Sequence, residues 1–288
     1  MNPLVDPLLN MADAADAGQR NHSGVSSGFS ELDRVTSGLQ PGNLLVLGGR
    51  PSMGKTALAL NIAAHVAIRE LQPVLVFSMA DSALRLKTRM LSSLFDIPLS
   101  SFRVNDIRDV DMHRLTEGNK KIGRYVLHID ESKHLSICDI GDRANQLATK
   151  TGKLGLIVID YLQLMDDQLP SGSSGKHRMN AVTTQLKSLA TKQHCPVLLL
   201  SQVKSVADNQ NNQRPKAKHL RDCSNLEKES DVIMMIYREN FYTMIDSHPD
   251  IAEINIIKNN NGRTGCVKLA FVKDYVRFES LAADQNLP

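Results

Sequence analysis

Eight consecutive residues, Gly49-Arg50-Pro51-Ser52-Met53-Gly54-Lys55-Thr56, have the G-x-x-x-x-G-K-S/T spacing of a loop that cradles phosphate. Its glycines let the backbone curl until successive N–H groups and a helix N-terminus face phosphate oxygens. Lys55 then adds a point charge at the β and γ phosphates, and Thr56 offers its hydroxyl to Mg²⁺. Further along, the run Leu154-Gly155-Leu156-Ile157-Val158-Ile159-Asp160 is apolar and ends in an acid. Alone, Asp160 reads as a residue that caps the next turn. Paired with the phosphate loop, it reads as a carboxylate at the end of a central strand that supports the Mg²⁺ shell.

Such a site needs strands to aim it and a helix behind the loop. Six short runs are apolar and rich in β-branched residues: Leu44–Leu47, Val74–Phe77, Val126–Ile129, Leu156–Ile159, Val197–Leu200 and Val232–Ile236. Several lack alternation, the pattern of strands covered on both faces of a parallel sheet. Helical spacing is predicted between them at Thr56–Glu70, Ser82–Ser93, Asp111–Ile122, Ile137–Thr151 and Asn180–His194. The alternation predicts a doubly wound α/β fold. Beyond residue 250, Ala252–Ile257, Val267–Val272 and Val276–Glu279 are joined by short turns, which predicts an antiparallel C-terminal extension.

Composition sets the limits. The 288 residues fit one large domain with short appendages, and 34 Lys+Arg against 31 Asp+Glu leave only +3, so bulk charge holds the chain on neither nucleic acid nor membrane. With no Trp and 4% aromatic residues, aliphatic side chains fill the core and few rings are left to stack on bases. Cys138, Cys195, Cys223 and Cys266 are far apart, so zinc spacing and a disulfide framework are both unsupported; they read as buried thiols of a cytosolic protein. His128 and His194 abut apolar runs and read as structural residues, and Met234-Met235 as core. The N-terminus has neither a basic start nor a long apolar run, and no membrane span is predicted. Near it, Asp6 and Pro7 can start a helix striped with Leu8, Leu9, Met11, Ala12 and Ala15, either a docking helix or a frayed terminus.

The stretches SGFSELDRVTSGLQPGNLLVLGGRPSMGKTALALNIA, LGLIVIDYLQLM, PVLLLSQ, RPKAKHLRDCSNLEKESDVIMMIYRE and KNNNGRTGCVKLAFVKDYVRF follow one another from Ser27 to Phe278. In that order they resemble the C-terminal motor domain of DnaB-type replicative hexameric DNA helicases. The resemblance implies a RecA-like P-loop fold over residues 24–282, with 1–23 as a linker or docking segment, 283–288 as a tail and the family's separate N-terminal domain absent. It also implies ATP and Mg²⁺ as cofactors, a homo-oligomeric ring, a hexamer by family, and single-stranded DNA bound without sequence preference. By the same resemblance, Lys55, Thr56 and Asp160 bind phosphates and metal, Gln202 senses the γ-phosphate, and Lys258 reaches a neighbour's nucleotide.

Three departures qualify that expectation. Where the family carries the glutamate that activates water, the sequence reads Phe77-Ser78-Met79-Ala80-Asp81, and a methyl at Ala80 can accept no proton. Asp81 lies one position on and substitutes only if the chain has turned by then. Where the family carries its arginine finger, Lys258-Asn259-Asn260-Asn261-Gly262 offers Asn260, with Arg263 three residues further on. In the DNA-facing stretches, Ala181-Val182-Thr183-Thr184 lacks the family's acids and arginine. Lys176 and Arg178 remain in the first loop (166–176 and just after), and the second (204–218) carries Lys204, Arg214, Lys216 and Lys218 against Asp208. That loop reads either as a phosphate-tracking patch or as a solvated surface.

Two functions are therefore open: a ring-forming helicase that couples ATP hydrolysis to translocation on DNA, or an ATP-binding pseudo-helicase that joins or regulates a replicative helicase. A RecA-like recombinase would share the phosphate loop but leaves the late motifs unexplained.

Overall fold

A computed structural model describes residues 23–102, 111–116, 125–160, 175–203, 213–220, 224–243 and 250–281, apart from the side chains of 175–179, 224 and 243. The predicted docking helix, Cys223 and most of both polar loops lie outside the described residues. A nine-stranded sheet is built from Leu44–Gly49 (β1), Val74–Ser78 (β2), Leu127–Asp130 (β3), Leu156–Asp160 (β4), Val197–Gln202 (β5), Val232–Arg238 (β6), Asp250–Asn259 (β7), Gly265–Val272 (β8) and Arg277–Ser280 (β9). Their order across the sheet is β3-β2-β4-β5-β1-β6-β7-β8-β9. The first six are parallel and the last three antiparallel, as the apolar runs and short turns predict.

Period-two geometry sends alternate residues of each central strand to opposite faces. Leu45, Leu47, Val74 and Val76 join one core, and Leu44, Val46, Leu75 and Phe77 join the other. Helix α1 (Ser30–Thr36) and helix α2 (Lys55–Ile68) cover the first face. Helix α2 is buried at Leu58, Ile62, Ala63 and Val66 among others, because small Ala residues let it sit close to the sheet while β9 closes over it. Helix α3 (Ala83–Phe95) starts where the Ser82 hydroxyl accepts from the Arg85 N–H at 3.3 Å. Helix α4 (Ile137–Thr151) starts on a reciprocal cap, Ser136 Oγ accepting from Asp139 N at 3.2 Å and Asp139 Oδ2 from Ser136 N at 3.0 Å. Helix α5 (Gly175–Gln193) covers the second face through Val182, Leu186 and Leu189. Helix α6 (Ser224–Glu229) docks on it through the Asn225 amide, which donates to Thr183 Oγ1 at 2.9 Å and Thr184 Oγ1 at 3.1 Å.

Three sequence expectations need correction. Cys195 is buried, but Cys138 and Cys266 are exposed: one lies on the outer side of α4 and the other near the start of β8, where only alternate residues face inward. His128 is exposed: β3 is the edge strand of the sheet, and none of its four residues is fully buried, so that run is not covered as the central strands are. His194 is also exposed, in a positive-φ turn after α5. Met234 and Met235 are core, as expected.

Candidate functional site

Everything with phosphate chemistry gathers at the carboxyl ends of the parallel strands. The loop 50–54 leaves β1 and enters α2 through Gly54, whose φ of 99° suits glycine. A side chain there would also collide, since a Cβ would lie 2.8 Å from the Phe278 ring. Met53 is buried beneath the loop, while Pro51 and Ser52 are exposed at its crest. The Lys55 ammonium turns back on the loop, donating to the carbonyls of Gly49 at 2.9 Å and Arg50 at 2.8 Å. Burial pushes that ammonium down to about 8, with nearby Asp160 opposing the shift and Arg50 adding to it.

The Thr56 hydroxyl donates to Asp160 Oδ2 at 2.8 Å. Asp160 is buried, and burial is the main cause that holds its carboxyl above the usual range. A hydroxyl and a carboxylate oxygen side by side, facing a loop of backbone amides, suit a hard oxygen-seeking cation such as Mg²⁺. Strand β5 lies between β4 and β1 and sets Gln202 beside Gly49 in register, so the glutamine ends between the metal-side acid and the phosphate loop.

The model of the family described as the DnaB-like helicase C terminal domain matches residues 24–280. The chain belongs to that family. It is 35% identical over 259 residues to the replicative DNA helicase DnaB of Geobacillus stearothermophilus, covering 90% of this chain and 57% of that protein. It is 34% identical over 275 residues to the replicative DNA helicase DnaB of Pasteurella multocida, covering 94% and 58%. The chain thus spans a little over half the length of these curated relatives. Among solved structures, one described as an ATPase domain superposes with a TM-score of 0.89 at 27% identity, covering 98% of this chain and all of that one. A DnaB-like replicative helicase, described with its interactions with primase, superposes with a TM-score of 0.88 at 27% identity over 98% of this chain and 68% of its own.

Within this DnaB-like domain the departures have definite surroundings. Strand β2 ends at Ser78, next to Asp160 in register, and the Met79 N–H donates to the Asp160 carbonyl at 2.8 Å. Ala80 is exposed at that strand end. The chain has turned by Asp81, as a substitution for glutamate would require: Ser78 Oγ donates to the Asp81 carbonyl at 2.7 Å. The Asp81 carboxylate, however, accepts from Arg85 at 2.7 Å and Arg89 at 2.8 Å, both on α3. With each oxygen already held by a guanidinium, the carboxylate is poorly placed to orient water or take its proton. Sequence reasoning missed Arg85 and Arg89; helical spacing from a carboxylate at the end of β2 was the available signal.

Within its own chain Lys258 is engaged by backbone carbonyls. Its ammonium donates to the carbonyls of Glu227 at 2.8 Å, Lys228 at 3.2 Å and Ser230 at 2.6 Å, at the end of α6. The Asn260 N–H donates to the Asp231 carbonyl at 2.9 Å, and Arg263 is exposed in the following turn.

Of the DNA-loop candidates, Lys216 and Lys218 are exposed. Arg214 instead makes two bonds to Glu253 of β7, at 2.6 and 2.7 Å, and lies 4.8 Å from the Tyr237 ring centre. Lys204 falls outside the described residues, and Lys176 and Arg178 are placed only as backbone in the first turn of α5. Among the described residues, no group of three or more His, Cys, Asp or Glu could hold a metal ion, and no helix is long and apolar enough to cross a membrane.

Proposed function

We propose that this chain is an ATP- and Mg²⁺-dependent motor domain that assembles into a ring, by family a hexamer, and moves on single-stranded DNA to unwind duplex in replication. The observation that carries the reading is the Thr56–Asp160 pair at 2.8 Å beneath an intact phosphate loop. Lys55 would exchange the Gly49 and Arg50 carbonyls for phosphate oxygens, and the N–H groups at the start of α2 would complete the cradle. Thr56 and Asp160 would hold Mg²⁺, which neutralises the phosphate charge as the bond to the leaving group breaks. Gln202 would sense the terminal phosphate from the end of β5. In this layout residues 24–282 are the motor, 1–23 dock on an adjacent subunit, and Lys176, Arg178, Lys204, Lys216 and Lys218 face DNA in the cytosol.

A second reading is supported by the surroundings of Asp81: the domain binds ATP but hydrolyses it weakly, serving as a partner of a replicative helicase. Ala80 supplies no base, Asp81 is engaged by two arginines, Asn260 replaces a finger residue, and Lys258 is engaged within its own subunit. Loss of a general base commonly removes a factor of about 10² to 10⁴ in rate.

The test is phosphate release with and without single-stranded DNA at matched salt, beside binding of a non-hydrolysable ATP analogue. DNA-stimulated turnover abolished by Lys55→Ala supports the motor. Analogue binding through Lys55 without turnover supports the second reading, in which Ala80→Glu together with Asn260→Arg raises hydrolysis far more than either alone. Absence of nucleotide binding overturns both.

A further inference from the structure

The phosphate loop leans on a wall that it does not itself supply. A side chain at Gly54 would meet the Phe278 ring at 2.8 Å, so the ring stands against the point where the loop turns into α2 and limits how the loop curls there. That ring belongs to β9, a strand of four residues at the edge of the sheet with β8 as its neighbour. Phe271, its partner in register on β8, supports it with 4.7 Å between ring centres. Beside it is a cavity of about 350 Å³, with Asn61, Leu94, Phe95, Arg277 and Phe278 among its lining residues. A short edge strand next to open space is poorly fixed by packing alone, because absent neighbours leave contacts unmade.

Asn61, half-buried in the second turn of α2, supplies what packing does not. Its Oδ1 accepts from the Phe278 N–H at 2.8 Å, and its Nδ2 donates to Ser93 Oγ on α3 at 3.0 Å. The two bonds fix the amide's orientation, since the oxygen can only accept and the nitrogen only donate. Another tether of β9, from Arg277 to the Ser93 carbonyl at 3.0 Å, leads to α3 instead. The Asn61 bond therefore ties the wall to the helix whose first residues are Lys55 and Thr56.

We propose that Asn61 is a positioning residue of the nucleotide site: it sets where the Phe278 ring stands along α2, and so holds the loop at Gly54 in the curl that presents its amides to phosphate. Asn61 touches no phosphate and acts through Phe278. Binding groups work only when their supports hold them to within about 0.5 Å, which is the task of a hydrogen bond of this kind. Because the loop amides grip the phosphates that ADP and ATP share, loss of the support weakens both nucleotides alike. The inference rests on the ATP-binding reading and adds to it a residue on the far side of the helix.

The experiment is titration calorimetry of the full chain with ADP and with AMP-PNP, each with Mg²⁺, well below the melting temperature of each variant. Asn61→Ala is expected to weaken both nucleotides about three- to tenfold, the loss typical of one hydrogen bond. Asn61→Asp still accepts from the Phe278 N–H and should stay within about twofold of the wild type. Ser93→Ala removes only the amide's other bond; it should lower the melting temperature and leave both affinities within about twofold. Phe278→Leu removes the ring and keeps the backbone, and should weaken both nucleotides about threefold or more. Since the two residues act through one wall, Asn61→Ala with Phe278→Leu should bind no worse than about twofold below the weaker single variant. Losses that multiply in the double variant overturn the inference, as does a Ser93→Ala loss equal to that of Asn61→Ala, or an Asn61→Asp chain as weak as Asn61→Ala. If Asn61→Ala does not fold, Phe278→Leu with unchanged affinities overturns it equally. A wild-type chain that binds neither nucleotide overturns the ATP-binding reading and the inference with it, whereas normal wild-type binding with unchanged Asn61→Ala affinity overturns the inference alone.

Discussion

The ammonium of Lys258, near the end of β7, lies 2.6 Å from the carbonyl oxygen of Ser230, just past helix α6. With Glu227 and Lys228 as its other acceptors, it serves the carbonyls that a helix leaves unsatisfied at its end and places a cation at the negative pole. Lys258→Ala is expected to cost about 1–2 kcal/mol in urea unfolding. An unchanged midpoint would mean that the three bonds are not kept in solution.

Arg238 and Asp250 form a buried ion pair, with the Arg238 guanidinium 4.1 Å from the centre of the Phe271 ring and 3.5 Å from the Ser52 carbonyl. Removing one buried charge strands the other. Asp250→Ala should cost about 3–5 kcal/mol by denaturant unfolding, and adding Arg238→Met should recover part of it. Independent, additive losses would contradict coupling between the two.

Lys55 gives the site a pH dependence of known sign. Burial lowers its ammonium to about 8, so a growing fraction is neutral above that pH, while phosphate binds the charged form. AMP-PNP affinity should therefore fall about tenfold between pH 7 and pH 9, and the fall should vanish in Lys55→Ala. Calorimetry at the two pH values decides it; a flat wild-type profile would mean that Lys55 stays charged throughout.

Exposed Lys216 and Lys218 and paired Arg214 should behave differently toward single-stranded DNA. Each lysine replaced by Ala should reduce the salt dependence of binding, log affinity against log salt, by about 1 if it meets a phosphate. Arg214→Ala should leave that slope unchanged and instead loosen β7, seen as a lower melting temperature. A change in slope for Arg214 alone would reverse the assignment.

The sheet was legible because strands covered on both faces demand aliphatic residues at every position, as at Leu44–Leu47 and Val232–Ile236, and the phosphate loop because its spacing is dictated by phosphate itself. Edge position was not legible: His128 interrupts the β3 run, but one polar residue does not mark an edge, and only the pairing order reveals the open side. Nor were charges that find partners far along the chain. Arg214 meets Glu253 across thirty-nine residues, and Lys258 meets carbonyls that carry no side-chain signature. In sequence both appear as free cations, because solvent-facing and partnered lysines or arginines have the same local pattern. Asp81 was legible as a carboxylate in the right place, but its engagement depends on the direction in which α3 leaves Ser82.

The ring of Phe278 on β9 forms the wall behind Gly54, and the Phe278 N–H donates to Asn61 Oδ1 of α2 at 2.8 Å. The loop is thus made early in the chain but shaped by a residue of the last strand. On a ribosome, the phosphate cradle would be incomplete until β9 had emerged and closed on α2. A nascent chain would have the motif long before it had the pocket.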